Sequence, residues 1–542
     1  MATINFKGKE VVRNHHLTVP YHELVPDERK SLTKKVGLDD NFVVHGDNLL
    51  ALKALLPTYA GKVKCIYIDP PYNIGNEKWV YNDKVNSPMM KEWLGKVVDK
   101  DDLTRHDKWL CMMMPRLKLL RELLREDGVM FVSIDDNEQH RLRILMDEVF
   151  GEENFITNII WQKKYAASND ARYFSDNHDF VTVYAKNKLN GDKTGGWVRN
   201  LLPRTAKQDD LYKYDSHDGK GLWRPDNLTV KTYSKEYDYP IVNPLTKKVY
   251  HPTQGRCWLT NKETIQKWID EGRVFFGKDG KGAPQLKRYL NEVQSGTVPM
   301  TIWGYDDVGH TDEARKELKE IFSDKASPFE NPKPTRLIKR ILRLATDKDS
   351  IVLDSFAGSG TTAHAVLALN KEDKGNRKFI LVEMEDYADK ITAERVRRVI
   401  KGVKNARDKD LQKGLGGSFS YFELGKPIDT ERILKGKDLP SFAEMARYIF
   451  YTATGEEFNE KKVNEKTGFI GESREYQVYL LYRPVMDYLK STALTLERAE
   501  SLGKFVAKKR LVFAPAKYLD QEHLERLHID FAQLPFEIYQ KQ

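Results

Sequence analysis

The chain has 542 residues and a mass of 62.9 kDa, enough for roughly three or four domains with full hydrophobic cores. Its 89 lysine and arginine residues outnumber its 80 acidic residues, and the net charge of +9 fits a nucleic-acid partner without demonstrating one. Three cysteines without Cys-x-x-Cys spacing argue against a disulfide framework or a zinc cluster. No apolar run approaches the roughly 18 residues of a membrane span, and the N-terminus lacks the apolar core of a signal peptide. We therefore expect a soluble, cytoplasmic protein that binds no membrane.

Residues 1–40 are polar and mixed in sign, and we assign them to an N-terminal arm or surface layer. Residues 41–44 form a predicted short strand, which leads through Asp47 into a predicted helix over residues 49–56. Asp47 has two interpretations. It caps the helix, as aspartate commonly does for structural reasons alone, or it faces a cofactor, and capping is the favoured interpretation.

The apolar run of residues 63–68 predicts a buried strand, which ends in Asp69-Pro70-Pro71-Tyr72 because proline cannot continue a strand. Active sites of open α/β sheets lie outside the carboxyl ends of the strands, where this acid is expected. The exocyclic amine of a nucleobase is a poor nucleophile because its lone pair is conjugated into the ring. The Asp69 carboxylate and the Pro70 carbonyl can each accept one of its N–H groups, and Tyr72 can stack on the base. The alternative is a turn that merely closes the strand.

The elements that follow alternate between helix and strand. A long polar loop over residues 74–107 lies beside the predicted site, where such loops are usually functional or mobile. Acids at residues 135–137 follow another strand, and capping of the next helix is the favoured interpretation. The predicted elements are a helix over residues 108–126, a strand over 129–134, a helix over 138–150 and strands over 155–161 and 180–185. Asp127-Gly128 is predicted to end the first helix. A polar loop over residues 163–170 lies between the last two strands and can line a groove. This alternation indicates half of an α/β sheet.

From residue 187 to residue 325 the helical periodicity weakens, and aromatic residues alternate with cations. Turn residues divide the segment into short strands and loops. A surface that mixes cations with aromatic rings suits phosphate contacts and stacking, which favours contact with nucleic acid. Most of the aromatics are nevertheless expected to form a core, and an ordinary mixed domain is the alternative. The residues concerned are Trp197, Arg199, Tyr212, Lys213, Tyr214, Trp223, Arg224, Lys231, Tyr233, Arg256, Trp258, Lys287 and Arg288.

Residues 329–335 precede a second motif. They hold an extended approach to a predicted helix over residues 336–346, because prolines at this spacing disfavour helix before them. A strand predicted over residues 350–353 then ends at Asp354 and a glycine-containing turn, and a helix over residues 363–370 follows. This order of strand, acid, turn and helix is typical of a ligand site.

The turn contains Gly358 and Gly360, which permit a ligand to approach the backbone closely. The helix N-terminus and the Thr361 hydroxyl can receive a carboxylate or a phosphate. The next predicted strand, residues 378–382, ends at Glu383, an acid placed to hold both hydroxyls of a ribose. Alanine replaces the third glycine of a dinucleotide loop, which such a site tolerates, so the turn alone leaves NAD open.

Residues 413–418 are rich in glycine and form the predicted linker between domains. Beyond it, residues 425–542 are a mixture of amphipathic segments without a catalytic signature. We predict a small accessory domain whose tyrosine and leucine content supports packing or self-association.

With both motifs in view, the chain resembles the beta class of S-adenosylmethionine-dependent DNA amino-methyltransferases, and it is especially similar to the modification subunits of type III restriction systems. The resemblance covers about residues 40–400. In that class the tetrad comes first, a target-recognition region follows and the cofactor turn comes late, whereas related enzymes acting on ribosomal RNA or on protein glutamine usually place the cofactor turn first. The matching pieces are Gly46-Asp47-Asn48, Ile68-Asp69-Pro70-Pro71-Tyr72-Asn73, Pro332-Lys333-Pro334, Phe356-Ala357-Gly358-Ser359-Gly360-Thr361-Thr362 and Glu383.

The resemblance implies an α/β chain with a Rossmann-like class I methyltransferase fold, a mostly parallel sheet, an inserted target-recognition domain and a small C-terminal accessory domain. The domains it implies are an N-terminal arm at residues 1–40, the catalytic half of the methyltransferase domain at 41–186, the target-recognition domain at 187–325, the cofactor-binding half at 326–412 and the accessory domain at 425–542.

The same resemblance implies the roles of the site residues. The tetrad Asp69, Pro70, Pro71 and Tyr72 binds a flipped base, and aspartate in its first position is typical of adenine N6 enzymes, whereas serine is commoner in cytosine N4 enzymes. The residues implied to hold S-adenosylmethionine are Asp354, Phe356, Ala357, Gly358, Ser359, Gly360, Thr361 and Glu383, with Lys333, Pro334 and Thr335 against its methionine end.

The activity that follows is sequence-specific methylation of adenine N6 in double-stranded DNA, without a metal and within a restriction-modification or related defence system. A restriction subunit with nuclease and helicase activity is the suggested partner, and a homodimer is plausible by analogy. One alternative is a cytosine N4-methyltransferase. A non-catalytic DNA-recognition subunit with a methyltransferase fold is another, against which the intact motifs argue. A Rossmann oxidoreductase is the most distant, because the tetrad has no role in hydride transfer.

Overall fold

The computed structural model describes residues 3–74, 105–189, 195–293, 296–324, 329–428, 433, 439–502, 505 and 507–534. Contacts divide the chain into two compact units. The first unit comprises Met1–Asn200 and Met300–Gln542, and the second comprises Leu201–Pro299. Most of the predicted polar loop over residues 74–107 lies outside the described residues.

The strands and helices of the described residues have the following bounds. The strands are β1 (Tyr21–Pro26), β2 (Phe42–His45), β3 (Val63–Ile68), β4 (Leu124–Ile134), β5 (Phe155–Gln162), β6 (His178–Ala185), β7 (Leu202–Pro203), β8 (Trp223–Asp226), β9 (Thr229–Val230), β10 (Ile241–Val242), β11 (Val249–Tyr250), β12 (Cys257–Trp258), β13 (Val274–Phe275), β14 (Gln285–Tyr289), β15 (Gly296–Thr297), β16 (Ile302–Trp303), β17 (Ile351–Asp354), β18 (Lys378–Glu383), β19 (Ser420–Ile428), β20 (Phe469–Glu472), β21 (Tyr476–Leu480), β22 (Lys509–Ala514) and β23 (Ile529–Gln533). The α-helices are Lys9–Val12, His15–Thr18, Asn48–Tyr59, Arg105–Leu123, Gln139–Phe150, Ala206–Asp209, Lys262–Asp270, Tyr305–Val308, Thr311–Ile321, Thr335–Ala345, Thr361–Asp373, Glu394–Lys401, Lys409–Lys413, Phe442–Thr454, Met486–Ser491, Leu496–Ser501 and Gln521–Arg526.

A large sheet organises the first unit. Its ten described strands have the order β1-β19-β2-β18-β17-β3-β4-β6-β5-β16. Every neighbouring pair from β19 to β4 is parallel, whereas β6 runs antiparallel to both β4 and β5. The predicted α/β class with a mostly parallel sheet is thereby confirmed. Because β18, β17 and β3 are parallel neighbours, their carboxyl ends meet at one edge of the sheet.

The core of the sheet is covered on both faces, as parallel strands require. All six residues of β3 are buried. Ile66 and Ile68 lie in the same core as the helices Asn48–Tyr59 and Arg105–Leu123, so Cys65 and Tyr67 alternate to the opposite face. Burial on both faces explains why β3 reads as a continuous apolar run in the sequence.

The prediction of an arm at residues 1–40 is wrong, because this segment contributes an edge strand to the large sheet. β1 pairs with β19 at the edge of the large sheet, with Tyr21 opposite Ile428. Val12 and Val19 are buried in the same core as the helix Arg105–Leu123. The few apolar residues of this segment are too widely spaced to show a period, and their burial depends on pairing with a strand about four hundred residues later.

The glycine-rich stretch at residues 413–418 is not the predicted linker between domains, because it packs within the first unit and leads into the large sheet. Leu415 N–H donates to the Val399 carbonyl at 2.9 Å, and the chain then enters β19, which lies between β1 and β2 in the large sheet. A Cβ on Gly414 would lie 2.6 Å from the Ile400 carbonyl oxygen, so glycine here permits close backbone packing. The predicted accessory domain therefore starts too early at residue 425, because β19 extends to Ile428.

Two details near β4 also differ. The helix ends at Leu123, and β4 begins at Leu124, so Asp127-Gly128 does not end the helix but lies at an irregularity in the pairing of β3 with β4. Asp135 Oδ1 accepts the Asn137 N–H at 3.0 Å in a tight turn, and Glu138, at the helix N-cap, makes no capping side-chain bond. Asp135, Asp136 and Asn137 therefore form a turn rather than the predicted cap.

The second unit, Leu201–Pro299, consists mainly of short strands and loops, as predicted, with the helices Ala206–Asp209 and Lys262–Asp270. The rest of the predicted segment 187–325 belongs to the first unit, which includes the helix Thr311–Ile321. The largest sheet of the second unit has three strands in the order β13-β14-β8. A small core forms around Leu228, Ile241 and Trp258. β7 and β15, near the two ends of the unit, pair antiparallel, with Leu202 opposite Thr297.

The C-terminal part of the first unit forms a sheet of four described strands, β20-β21-β22-β23. β21, β22 and β23 are parallel, with the helices Leu496–Ser501 and Gln521–Arg526 on the connections between them. Among the helices that the structure describes, none has the length and apolarity needed to span a lipid bilayer.

Candidate active site

A cavity of about 880 Å³ opens at the carboxyl ends of β18, β17 and β3. Both sequence motifs line it, although they are almost three hundred residues apart in the chain, because β3 and β17 are neighbours in the sheet. The predicted residues that line it are Asp69, Pro70, Pro71, Tyr72, Lys333, Asp354, Phe356, Ala357, Gly358, Ser359, Thr361 and Glu383. Gly360, Pro334 and Thr335, also predicted, are not among the lining residues.

The tetrad is held in place by contacts on its outer side. Trp109 Nε1 donates to the Pro71 carbonyl at 2.7 Å. Asn73, which has a left-handed backbone with φ of 58°, donates from its side chain to the buried Glu138. Such a φ is uncommon for a residue other than glycine, and asparagine tolerates it best. These contacts fix the turn without using Asp69 or Pro70.

Asp69 has one engaged oxygen and one open oxygen. Lys333 Nζ donates to Asp69 Oδ2 at 2.5 Å and lies 5.1 Å from the centre of the Tyr72 ring. Asp69 Oδ1 is buried and makes no hydrogen bond of normal geometry to a described residue, and the same holds for the Tyr72 hydroxyl. Burial and the nearby Asp69 carboxylate raise the pKa of Tyr72 well above its usual value, so its ring is neutral. A buried acceptor without a donor is costly unless a ligand supplies one.

Further side chains in the cavity come from the antiparallel pair β5 and β6. Asp179 is buried, and its Oδ1 accepts a hydrogen bond from Lys163 Nζ at 2.6 Å. Burial raises the pKa of Asp179, which the Lys333 and Lys163 ammonium groups oppose. Trp161 is opposite Asp179 in the strand pairing, and both line the cavity. No sequence motif marks these residues; the only signal was a polar loop that can line a groove.

The glycine turn after β17 is shaped by two buried acids. Asp354 accepts the Phe356 N–H at 3.0 Å and the Thr362 hydroxyl at 2.5 Å. Glu383 accepts the Gly358 N–H at 2.7 Å, so the turn is tied to the end of β18. Burial raises the pKa of both Asp354 and Glu383 to about 7. Both carboxyls therefore change protonation near neutral pH, where an ordinary carboxyl does not.

Gly358 and Gly360 both have left-handed backbones, with φ of 51° and 79°. A Cβ on Gly358 would lie 3.2 Å from Phe329 Cζ, on the cavity side. A Cβ on Gly360 would lie 2.9 Å from the Thr392 carbonyl oxygen. Gly358 thus leaves room beside the cavity, whereas Gly360 permits packing behind the turn.

A buried arginine supports the turn from behind. Arg395 is completely buried, and it donates to the hydroxyls of Ser359 at 3.1 Å and Thr361 at 2.8 Å. Its other terminal nitrogen contacts Thr335 Oγ1 at 3.2 Å and Glu317 Oε2 at 3.3 Å. We call Arg395, Glu317, Thr335, Ser359 and Thr361 the buried arginine network. It joins the predicted Thr335 to the cavity wall through Arg395, which the sequence did not single out.

The Gly46-Asp47-Asn48 motif is structural. Asp47 Oδ1 accepts the Leu49 N–H at 2.8 Å, which confirms its interpretation as a helix cap. Asn48 is buried, and its Nδ2 donates to the Ser355 carbonyl at 2.9 Å. Arg116 Nε donates in turn to Asn48 Oδ1 at 2.5 Å. Asn48 therefore ties the start of a helix to the beginning of the turn that follows β17.

The family is decided by sequence comparison. The sequence model described as DNA methylase matches residues 63–394, which spans both motifs and the second unit. The chain belongs to the DNA methylase family. It is an S-adenosylmethionine-dependent DNA methyltransferase, which confirms the fold, the cofactor and the class of enzyme expected from the sequence.

Individual relatives of this methyltransferase include restriction-modification proteins. The type III restriction-modification enzyme StyLTI Mod subunit of Salmonella typhimurium is 35% identical over 84% of this chain and 70% of its own length. The EcoP15I Mod subunit of Escherichia coli is 32% identical over 71% of this chain and 64% of its own length. Among solved structures, M1.HpyAVI in complex with S-adenosylmethionine aligns with 65% of this chain and 98% of its own, at 14% identity and a TM-score of 0.29. The methyltransferase thus spans roughly two thirds of the length of these Mod subunits.

Proposed function

We propose that this methyltransferase modifies N6 of adenine within a specific sequence of double-stranded DNA, with the target base flipped out of the helix into the cavity. The observation that carries the proposal is the state of Asp69. Its Oδ2 is held by Lys333, whereas its Oδ1 is buried and, within the described part of the chain, accepts no hydrogen bond of normal geometry, although the Tyr72 hydroxyl lies close by. An exocyclic amine supplies the missing donor.

The chain's own residues position this amine. Asp69 Oδ1 accepts one N–H and the Pro70 carbonyl accepts the other, which directs the nitrogen lone pair out of the plane of the base. Trp109 occupies the Pro71 carbonyl, so that carbonyl does not compete for the amine. The Tyr72 ring lies beside Lys333 and offers a face for stacking. S-adenosylmethionine, when bound, supplies an electrophilic methyl group. The amine becomes acidic as the methyl transfers, so its proton leaves to water without a strong base.

The cofactor residues fit S-adenosylmethionine. Glu383 is buried, lines the cavity and retains acceptor capacity for the two hydroxyls of a ribose. Gly358 has no Cβ to block a ligand beside the Phe329 ring, so its backbone can be approached closely. Ser359 and Thr361 line the cavity, and their hydroxyls accept hydrogen bonds from the Arg395 guanidinium behind them, which provides positive charge for the methionine carboxylate. The residues of the turn and Glu383 thus hold the ribose and methionine portions.

Two observations favour adenine over cytosine. Aspartate occupies the first tetrad position, and this residue is typical of adenine N6 enzymes in the class that the chain resembles. The relatives at 35% and 32% identity are Mod subunits of type III restriction-modification enzymes. We therefore place this protein in a restriction-modification system as the modification component, with a restriction subunit as its partner. Methylation of cytosine N4 is the second candidate.

The second unit, within the segment predicted for target recognition, is proposed to read the DNA sequence. Trp223 and Tyr289 are buried, so several aromatics form its core as expected. Lys213 and Lys231 are exposed, and the Tyr233 ring is half-exposed. Exposed cations of this kind contact phosphates, and DNA affinity should fall steeply with salt concentration. A flat salt dependence would favour a small-molecule or protein substrate.

The decisive experiment compares Asp69→Ala with Asp136→Ala, an exposed acid near the tip of the neighbouring strand β4. Modified bases in DNA from cells expressing each variant are sequenced, and the modified nucleoside is identified by mass. Asp69→Ala should abolish N6-methyladenine while calorimetric binding of S-adenosylmethionine stays within about threefold of wild type. Asp136→Ala should behave as wild type. Near-normal methylation by Asp69→Ala, or N4-methylcytosine as the product, would overturn the proposal.

A further inference from the structure

The loop of residues 163–177, which joins β5 to β6, is rooted in the cavity wall. Trp161 is opposite Asp179 in the pairing of the two strands. Trp161, Lys163 and Lys164 at one end of the loop and Asp179 at the other all line the cavity. Both ends of the loop therefore adjoin the cavity that is proposed to receive the base.

The tip of the loop carries two aromatic side chains without a packing role. Phe174 is 95% exposed and Tyr173 is 82% exposed, and no other large hydrophobic side chain of the described residues is as exposed as either of them. The Arg172 guanidinium lies 5.5 Å from the centre of the Tyr173 ring. Adjacent exposed aromatics cost solvation without stabilising the fold, so they indicate a surface that another molecule covers.

The loop is nevertheless braced at its base. Ser168 N–H donates to Ser175 Oγ at 2.8 Å, and Ser175 Oγ donates to Asn177 Oδ1 at 2.6 Å. Lys163 N–H donates to the Asn177 carbonyl at 2.9 Å. The Tyr165 ring also packs edge-on against Tyr305, with ring centres 5.9 Å apart. These contacts order the base of the loop, while Tyr173 and Phe174 at its tip stay exposed to solvent.

We propose that Phe174, with Tyr173 beside it, inserts into the DNA duplex next to the target base and fills the space which that base leaves when it enters the cavity. The inference rests on the proposed function and adds the element that opens the duplex. Removing a base from its stack costs free energy, and an inserted aromatic ring recovers part of that cost by stacking on the neighbouring bases.

The occupant of this surface is duplex DNA rather than a protein because of where the loop lies and what accompanies its tip. Both of its ends line the cavity that receives the base. Lys164 is exposed near one end, and the Arg172 cation adjoins the aromatic pair, so phosphate contacts and stacking are available together. Insertion of apolar side chains between base steps is an established way for proteins to kink DNA.

The test uses 2-aminopurine, whose fluorescence rises when it leaves the stack, at the target position of the site that methylation sequencing identifies. The full chain is compared with Phe174→Ala, Tyr173→Ala and the control Tyr518→Ala, which removes a 76% exposed tyrosine from the C-terminal sheet region. Wild type and Tyr518→Ala should give the full fluorescence rise. Phe174→Ala should lose most of the rise and methylate the paired duplex on the order of tenfold more slowly.

A second substrate separates insertion from other roles. When the target adenine is placed opposite an abasic site, much of the unstacking cost is already removed, so Phe174→Ala should recover to within about twofold of wild type. An equal fluorescence rise in wild type and Phe174→Ala would overturn the inference, as would a defect that the abasic substrate does not relieve. The inference would also be overturned if the defect of Phe174→Ala came from a change in oligomeric state or from loss of a bound protein partner. If wild type itself transfers no methyl group to DNA, the proposed function fails instead.

Discussion

Replacement of Arg395 by methionine tests the buried arginine network. The guanidinium is completely buried, and its removal takes the opposing charge away from Glu317 and a donor from three hydroxyls. Breaking a buried ion pair by removing one partner typically costs about 3–5 kcal/mol. Because Glu317 keeps 26% of its side-chain surface exposed, water compensates part of that loss, and we expect about 2–4 kcal/mol.

The pH dependence of this loss has a defined sign. Burial raises the pKa of Glu317, and Arg395 opposes the shift. Without Arg395 the pKa rises further, and a raised carboxyl pKa contributes stability at low pH that is lost as pH increases through the folded value. Arg395→Met should therefore be more destabilised, relative to wild type, at about pH 8 than at about pH 6.

Urea unfolding of the full chain, followed by tryptophan fluorescence, measures both effects. The double variant Arg395→Met/Glu317→Gln should recover about 1–3 kcal/mol of the loss, because the unpaired charge is then absent. The single variant Glu317→Gln is measured as well. If the losses of unfolding free energy in Arg395→Met and Glu317→Gln simply add in the double variant, the reasoning is refuted. It is refuted too if Arg395→Met loses the same unfolding free energy at both pH values.

Three further predictions concern the cavity. Gly358→Val should weaken calorimetric binding of S-adenosylmethionine by about a hundredfold or more, because a branched side chain is strained at φ of 51° and meets Phe329; unchanged affinity would contradict this. Since burial raises the pKa of Glu383 to about 7, and ionised Glu383 is proposed to hold the ribose, cofactor affinity should fall by about tenfold per pH unit once the pH drops below that value, and affinity that is flat down to about pH 5.5 would exclude a role for the ionised Glu383 carboxylate. Lys333→Met should lower kcat about a hundredfold with cofactor affinity within about threefold, because Lys333 holds Asp69; the reverse pattern would place Lys333 at the methionine end of the cofactor instead.

The parts of the fold that the sequence revealed are those with a purely local signal. β3 could be read directly, because burial on both faces makes it a continuous apolar run that two prolines end. β19 could not, because its place between β1 and β2 depends on pairing with residues nearly four hundred positions earlier. The glycines before it serve close packing, which has the same local appearance as a flexible linker.

The residues of the site likewise fall into those that a local motif reveals and those that depend on tertiary structure. Asp69 and Gly358 lie in short motifs whose chemistry is recognisable at once. Asp179 reaches the cavity only because the register of β5 and β6 places it opposite Trp161, and register is a tertiary property. Arg395 lies in a helix close to Arg397 and Arg398, which retain some exposure, and nothing in the residue type shows that Arg395 alone is fully buried.

The pairing of β7 with β15 has a consequence for how this enzyme can change its specificity. Residues directly opposite in an antiparallel pair have their Cα atoms about 4.5–5.5 Å apart, so the chain leaves and re-enters the first unit through adjacent points. A segment anchored in this way can be exchanged for another of different length or sequence without moving the strands that carry Asp69 and Asp354. If the second unit reads the DNA sequence as proposed, recombination at these two points would give a lineage new recognition sequences while its chemistry stays constant.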